Sequence, residues 1–203
     1  MKETLDMVTP LVGDPDRFHT LADLERMLMA LPRLPTDRCR VALMVRRVQE
    51  GEREILDRMV LAPGEGVPGD RWIRKPQPNP ETQLAVMQKD VAELIANGQP
   101  LTLFGDNLFL ELDLSFTNLP PGSRLRAGSA ILEVTSTAHT PCKKFQVRFG
   151  EDAVRFVSNP ELGHRKLRGI YMRPVEMGEI RTGDLVEVIS RVPVIAELKK
   201  MHV

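Results

Sequence analysis

The chain has 203 residues, 42% apolar and 28% charged, with 28 basic and 28 acidic side chains and no formal net charge. That length suits one domain with appendages and a substantial core. The balanced charge excludes nucleic-acid binding by overall electrostatics, and an aromatic content of 4% leaves too few rings for a base-stacking platform. No apolar run reaches the roughly 18 residues of a membrane span, and Met1 to Asp6 carry no apolar leader. No membrane association and a cytoplasmic, reducing compartment are therefore expected, where a structural disulfide is out of place.

Residues 1–36 read as a helical appendage. Thr20, with Asp23 three positions on, has the form of an N-cap with an acid in the first turn. Leu21, Leu24, Met27 or Leu28, and Leu31 recur at helical spacing, and Pro32 and Pro35 end the pattern. The apolar stripe suits docking on the main domain or on a second subunit, so the sequence allows a homodimer. Arg40 to Gln49, rich in Val, Leu and Met, predicts a first strand. Gly51-Glu52 then predicts a turn, and Ile55 to Leu61 a return strand. Pro63 to Asp70 is a loop dense in Gly and Pro without the phosphate-binding pattern G-x-x-x-x-G-K-[ST]. Asp70 reads there either as a turn residue or as a pocket carboxylate.

Asn79-Pro80-Glu81 has the look of a helix cap, with proline first and an acid in the first turn. Leu84, Met87, Val91, Leu94 and Ile95 share one face and Gly98 closes it, so the spacing predicts a helix over 80–97. Asp106 and Asn107 follow in an apolar neighbourhood, either as a tight turn with self-capping side chains or as pocket groups.

Ala130 to Ser136 is short and β-branched and predicts a strand. Thr140-Pro141 breaks it, which places Cys142 on a loop just past a strand end, where reactive groups are commonly held. From Val134 to Gly150 there is no Asp or Glu, while Lys143, Lys144 and Arg148 are basic and His139 can be. A thiolate is the nucleophile and the metal ligand, and neighbouring cations favour it. Between Val134 and Val175 eight basic residues face three acidic ones, a local +5 balanced by −5 elsewhere. Such an excess suits a small anionic ligand. The bland alternative is a buried structural cysteine beside solvated charges.

Glu151 to Leu162 predicts a short helix, Gly163 to Gly169 a basic loop, Asp184 to Ser190 a strand, and Val194 to Val203 a short terminal helix. The two cysteines, Cys39 and Cys142, form no CxxC pair, and His19, His139, His164 and His202 show no zinc spacing.

His139-Thr140-Pro141-Cys142-Lys143-Lys144, followed by Arg148-Phe149-Gly150, resembles the cysteine motif of the MOSC domain, the family named for the C-terminal part of molybdenum cofactor sulfurases and found also as stand-alone bacterial proteins. Gly66 to Arg71, Phe104 to Leu108, Arg168 to Tyr171 and Gly178 to Asp184 resemble other family segments in the same order, so the likeness spans about Arg40 to Ser190. Asp106 stands where stand-alone members usually carry Glu, and the stretch between Arg71 and Phe104 is a long insertion.

The resemblance implies a mainly β fold, a MOSC β-barrel of the pyruvate-kinase-barrel kind, with flanking helices. It would occupy 37–190, leaving 191–203 as a tail. It implies Cys142 as the catalytic residue, either a persulfide carrier or a molybdenum-ligating thiolate. It makes His139, Lys143, Lys144, Arg148, Asp70, Arg71, Asn107, Arg168 and Tyr171 candidates for holding the molybdenum cofactor (molybdopterin).

Three readings follow. The first is a molybdenum cofactor or sulfur-handling protein. No pyridoxal-phosphate domain fits in 203 residues, so a sulfur carrier needs a separate cysteine desulfurase as partner. The second is a molybdenum-cofactor-dependent reductase of N-hydroxylated compounds. The chain has no iron–sulfur cysteines and no dinucleotide fingerprint, so this reading needs a redox partner. The third is a non-catalytic barrel that binds an anion or a protein, with Cys142 incidental.

Overall fold

The computed structural model describes residues 12–49 and 51–193. Seven strands close into a barrel. They are β1 (Arg38–Arg47), β4 (Leu84–Gln88), β5 (Leu108–Leu110), β6 (Arg124–Ala127), β7 (Ala130–Val134), β8 (Ile170–Glu176) and β10 (Leu185–Ser190). Around the ring the order is β10-β6-β7-β8-β4-β5-β1, and β1 pairs back onto β10 through Arg38↔Glu187, Cys39↔Val186 and Arg40↔Leu185. Every pair in the ring is antiparallel except β4–β5. β2 (Arg53–Ile55) extends the far end of β1, and β3 (Arg58–Leu61) forms a separate two-stranded sheet with β9 (Gly178–Arg181). The mainly β, barrel-type expectation is thus met.

The barrel interior is aliphatic, with Val41, Leu84, Val86, Leu108, Leu110, Leu132 and Met172 packed together. A second core lies outside the barrel wall. There Met87 and Phe109 point outward onto α1 (Leu21–Ala30), α2 (Lys89–Ala96), α3 (Lys143–Phe149) and α4 (Glu151–Val157). α1 begins as its sequence predicts, with Thr20 Oγ1 accepting from Asp23 N at 3.2 Å. Its stripe docks on α2 and α4 of the same chain, and Leu21 N donates to Asp152 Oδ2 at 3.1 Å. Burying Leu24 and Leu28 contributes about 1.5–3 kcal/mol each.

Three expectations are corrected. Residues 80–97 do not form one helix. Pro80–Thr82 is a 3-10 turn, capped by Asn79 as the sequence signalled, and strand β4 follows before α2 begins at Lys89. β4 is buried on both faces and pairs in parallel with β5, so its apolar run has no alternation and matches a helix stripe. Ile55 to Leu61 is not one return strand. β2 ends at Ile55 and pairs with β1, whereas β3 pairs with β9. Cys142 does not directly follow a strand: β7 ends at Val134, an irregular loop follows, and Cys142 caps helix α3. The helix predicted from Glu151 is α4, which ends at Val157. The predicted tail helix from Val194, and residues 1–11 of the appendage, lie outside the described residues. Among the described residues no helix is long and apolar enough to cross a membrane.

Candidate functional site

The loop Gly105-Asp106-Asn107, between a 3-10 turn and β5, is where the site is built. Asp106 and Asn107 are fully buried. Asn107 is neither self-capping nor open to a pocket. Its amide Nδ2 donates to Val45 O at 3.2 Å and Asp70 Oδ2 at 3.0 Å, and its Oδ1 accepts from Ala85 N at 3.1 Å. It ties β1 to β4 and presents Asp70.

Asp70 in turn accepts from Arg47 N at 2.9 Å, Arg47 Nη2 at 2.8 Å and Trp72 N at 2.8 Å. Burial works to raise the Asp70 pKa, but these donors overcome it and hold the carboxyl below its usual value. Asp70 caps the 3-10 turn Arg71–Arg74, in line with its reading as a turn residue, and it fixes a cation, Arg47, at the end of β1.

Around Gly105 stand several guanidinium groups. A Cβ at Gly105 would lie 3.3 Å from Arg53 Nη2 and 3.7 Å from Arg148 Nη1. Arg148, on α3, donates to Leu103 O at 2.8 Å. Arg53, on β2, meets backbone carbonyls, Glu52 O at 2.8 Å and Gln49 O at 3.4 Å, and no carboxylate among the described residues. Its burial, with the charges of Arg148, Arg47 and Arg71 nearby, brings its pKa down to about 10. Arg168 donates through Nη1 to Asp106 Oδ2 at 2.9 Å and packs 5.1 Å from the Phe145 ring centroid. The Nε atoms of Arg53 and Arg168 are buried without a hydrogen-bond partner. Positive charge exceeds negative here, and donors are left over. That is the electrostatic condition for binding an anion.

The cysteine loop lies over this group. The His139 side chain is 6% exposed, and its ring sits 4.2 Å from that of Tyr171. Its Nδ1 is 3.6 Å from Asp106 Oδ1, beyond hydrogen-bond range, and has no partner. Burial and then the charges of Arg168 and Arg47 push the His139 pKa well below its usual value, so the ring is neutral near pH 7. Burial raises Asp106 against the pull of Arg168. Burial also raises the Tyr171 hydroxyl, with Asp106 and Cys142 adding to the effect while Arg168 and Arg47 oppose it. Cys142 itself is exposed, as are Lys143 and Lys144 on the first turn of α3. Cys39 is the opposite case: buried on β1, its thiol is pushed up to about 12.

The sequence-derived set converges in part. His139, Cys142, Arg148, Asp70, Asn107, Arg168 and Tyr171 meet in one region, with Arg71 at its edge. Lys143 and Lys144 remain at the surface. Sequence reasoning missed Arg47 and Arg53. They flank the Gly51-Glu52 turn at the ends of paired strands, and only that pairing, Arg47↔Arg53, brings them together. A charged residue ending an apolar strand was the one available signal. Among the described residues no cluster of three His, Cys, Asp or Glu is placed to hold a metal ion.

A family model described as the MOSC domain matches residues 78–187. Similar solved structures include the YUAD protein from Bacillus subtilis, at 18% identity and TM-score 0.56, covering 74% of this chain and 95% of that one. YiiM from Escherichia coli follows at 21% identity and TM-score 0.52, covering 75% and 71%. A hypothetical protein matches at 20% identity and TM-score 0.58, covering 76% and 70%. At these identities the likeness is one of fold. No curated protein matches.

Proposed function

The chain belongs to the MOSC domain family, whose members are generally associated with the molybdenum cofactor, and on that premise we propose that it binds this cofactor with Cys142 as the thiolate ligand. The observation that carries the reading is an exposed cysteine beside a buried arginine group with unused donors. A sulfur carrier needs an accessible thiol and nothing more, whereas a bound pterin phosphate needs anion-binding groups nearby.

The residues present fit the cofactor on three counts. The buried Nε atoms of Arg53 and Arg168 lack acceptors. Gly105 leaves space where a side chain would press on Arg53 and Arg148. A soft thiolate suits a metal that brings sulfur donors of its own. When bound, the cofactor supplies a redox-active metal and, in sulfurated form, a transferable sulfur.

The chain's own residues then have distinct tasks. Arg53, Arg148 and Arg168 bind and orient the phosphate, and Arg47, locked on Asp70, sets the local field. Neutral His139, tilted against the Tyr171 ring, packs beside Asp106 and adds no positive charge. Lys143 and Lys144, exposed on the first turn of α3, place positive charge next to Cys142 for an anionic partner. Compartment and partners belong to the same proposal: a cytoplasmic protein working with a molybdoenzyme or a redox partner.

The test is protein purified from a host that makes molybdenum cofactor, as wild type and Cys142→Ser. Both are analysed for metal content and by intact mass spectrometry. Molybdenum and pterin in the wild type, lost in Cys142→Ser, is the expected result. One added sulfur atom on Cys142 without molybdenum would replace the ligand role with that of a persulfide carrier. Neither, after both cofactor and a sulfur donor are supplied, would leave an anion- or protein-binding barrel.

A further inference from the structure

Between Val134 and α3 the chain has no regular structure, yet this loop holds His139 and Cys142 in place. One carboxylate does much of the fixing. Glu81 Oε2, on the 3-10 turn Pro80–Thr82, accepts from Ser136 Oγ at 2.8 Å, Thr137 N at 3.1 Å and Thr137 Oγ1 at 2.9 Å. Thr135 Oγ1 donates to the Glu81 backbone carbonyl at 2.7 Å, and Thr135 N donates to Tyr171 O at 3.0 Å.

The turn bearing Glu81 is itself anchored. Asn79 Oδ1 accepts from Glu81 N at 2.9 Å, and Trp72 Nε1 donates to Thr82 Oγ1 at 3.0 Å. Trp72 N reaches Asp70, which holds Arg47. Asp70, Trp72 and the 3-10 turn Pro80–Thr82 thus link the arginine group to the loop through successive residues. The hydrogen bonds from Ser136 and Thr137 hold the Glu81 carboxyl below its usual pKa, as an ionised triple acceptor requires.

We propose that Glu81 is a positioning residue for Cys142: by fixing residues 135–137 it sets where His139 and Cys142 stand relative to the arginine group. The proposal rests on the reading of Cys142 as an accessible thiol in a basic site. Sequence alone marks Glu81 as a helix-cap acid and gives no hint of this role, because its partners lie more than fifty residues away.

The experiment compares two alkylating reagents on the whole protein, neutral iodoacetamide and anionic iodoacetate, with glutathione as the free-thiol reference. Both need the same thiolate, so the ratio of their rates cancels ionisation and accessibility and reads the charge field at the sulfur. Cys39 is buried with a raised pKa and stays silent, which Cys142→Ser confirms by its lack of labelling. In wild type the iodoacetate-to-iodoacetamide ratio should exceed that of glutathione by about tenfold. In Glu81→Ala it should fall toward the glutathione value, with Thr137→Val in between and Glu81→Gln, which keeps one carbonyl acceptor, restoring part of the wild-type value.

The direction is diagnostic. Deleting a negative charge acts electrostatically to raise the ratio, so only a displaced thiol lowers it. A ratio unchanged or raised in folded Glu81→Ala overturns the proposal while leaving the basic-site reading intact. A wild-type ratio already at the glutathione value defeats that reading and the proposal with it. Should Glu81→Ala fail to fold, Thr137→Val and Ser136→Ala remove the donors singly, and an unchanged ratio in both is equally fatal.

Discussion

Two buried carboxylates of this site, Asp70 and Asp106, have their pKa values shifted in opposite directions. Asp70 accepts from Arg47, Trp72 and Asn107 and is held below its usual value. Asp106 has Arg168 as its charged donor, and burial raises it. The consequence is an asymmetry between the two halves of the Asp106–Arg168 pair. A guanidinium cannot shed its proton, so Asp106→Ala strands a buried charge and should cost about 3–5 kcal/mol. A stranded carboxyl can take up a proton, so Arg168→Met should cost less at acid pH. Its folded pKa then lies further above the unfolded value of about 3.9. Stability from such a group is complete below the unfolded value and lost as pH rises through the folded one. The loss relative to wild type should therefore grow by up to about 1.4 kcal/mol per pH unit between the folded pKa of the wild type and that of the variant, and level off above it. Urea titrations of both variants at pH 5 and pH 7 check this: the Arg168→Met loss should grow with pH and the Asp106→Ala loss should not. Equal behaviour would show that Asp106 is not the group titrating.

Elements were legible where their signal was local. Thr20 and Asp23 announce α1, and Asn79-Pro80 announces a helical turn, because caps are short-range chemistry. β4 was illegible because its apolar run answers to two cores at once, Leu84 and Val86 to the barrel and Met87 to the helices. The approach of β8 to β4 leaves a different trace, Gly169. Its φ is +88°, and a Cβ there would lie 2.2 Å from Val86 O, a backbone atom of the neighbouring strand. Gly64 shares the positive φ, +79°, with open space around it. Gly64→Ala should thus cost only backbone strain, about 1–2 kcal/mol. Gly169→Ala adds overpacking and should cost about 3–4 kcal/mol. Because Gly169 follows Arg168, the second variant should also loosen the pair with Asp106. Denaturant midpoints of the two variants decide the matter, and equal losses would mean that the strands separate freely at this point.

At the scale of the molecule, β1 is the strand on which the rest depends. Its first residues pair with β10 and close the barrel, and its last, Arg47, enters the site on Asp70. The sequence marks β1 as a strand but says nothing of either role, since closure pairs residues almost 150 positions apart. Separation in sequence also hides Glu81, whose loop partners lie more than fifty residues away, whereas the cysteine motif was readable because its residues are contiguous. The two cysteines report on this arrangement. Cys39 sits at the seam, opposite Val186, and Trp72, the one tryptophan, sits at the site end. If the barrel opens as one cooperative unit, thiol labelling of Cys39 in increasing urea should follow the loss of native Trp72 fluorescence with the same midpoint. Cys142 should label throughout, before any unfolding. Labelling of Cys39 at lower urea than the Trp72 transition would mean that the β1–β10 seam parts on its own while the site end stays folded. β1 would then join two separable halves and could not transmit damage at the seam to the arginine group.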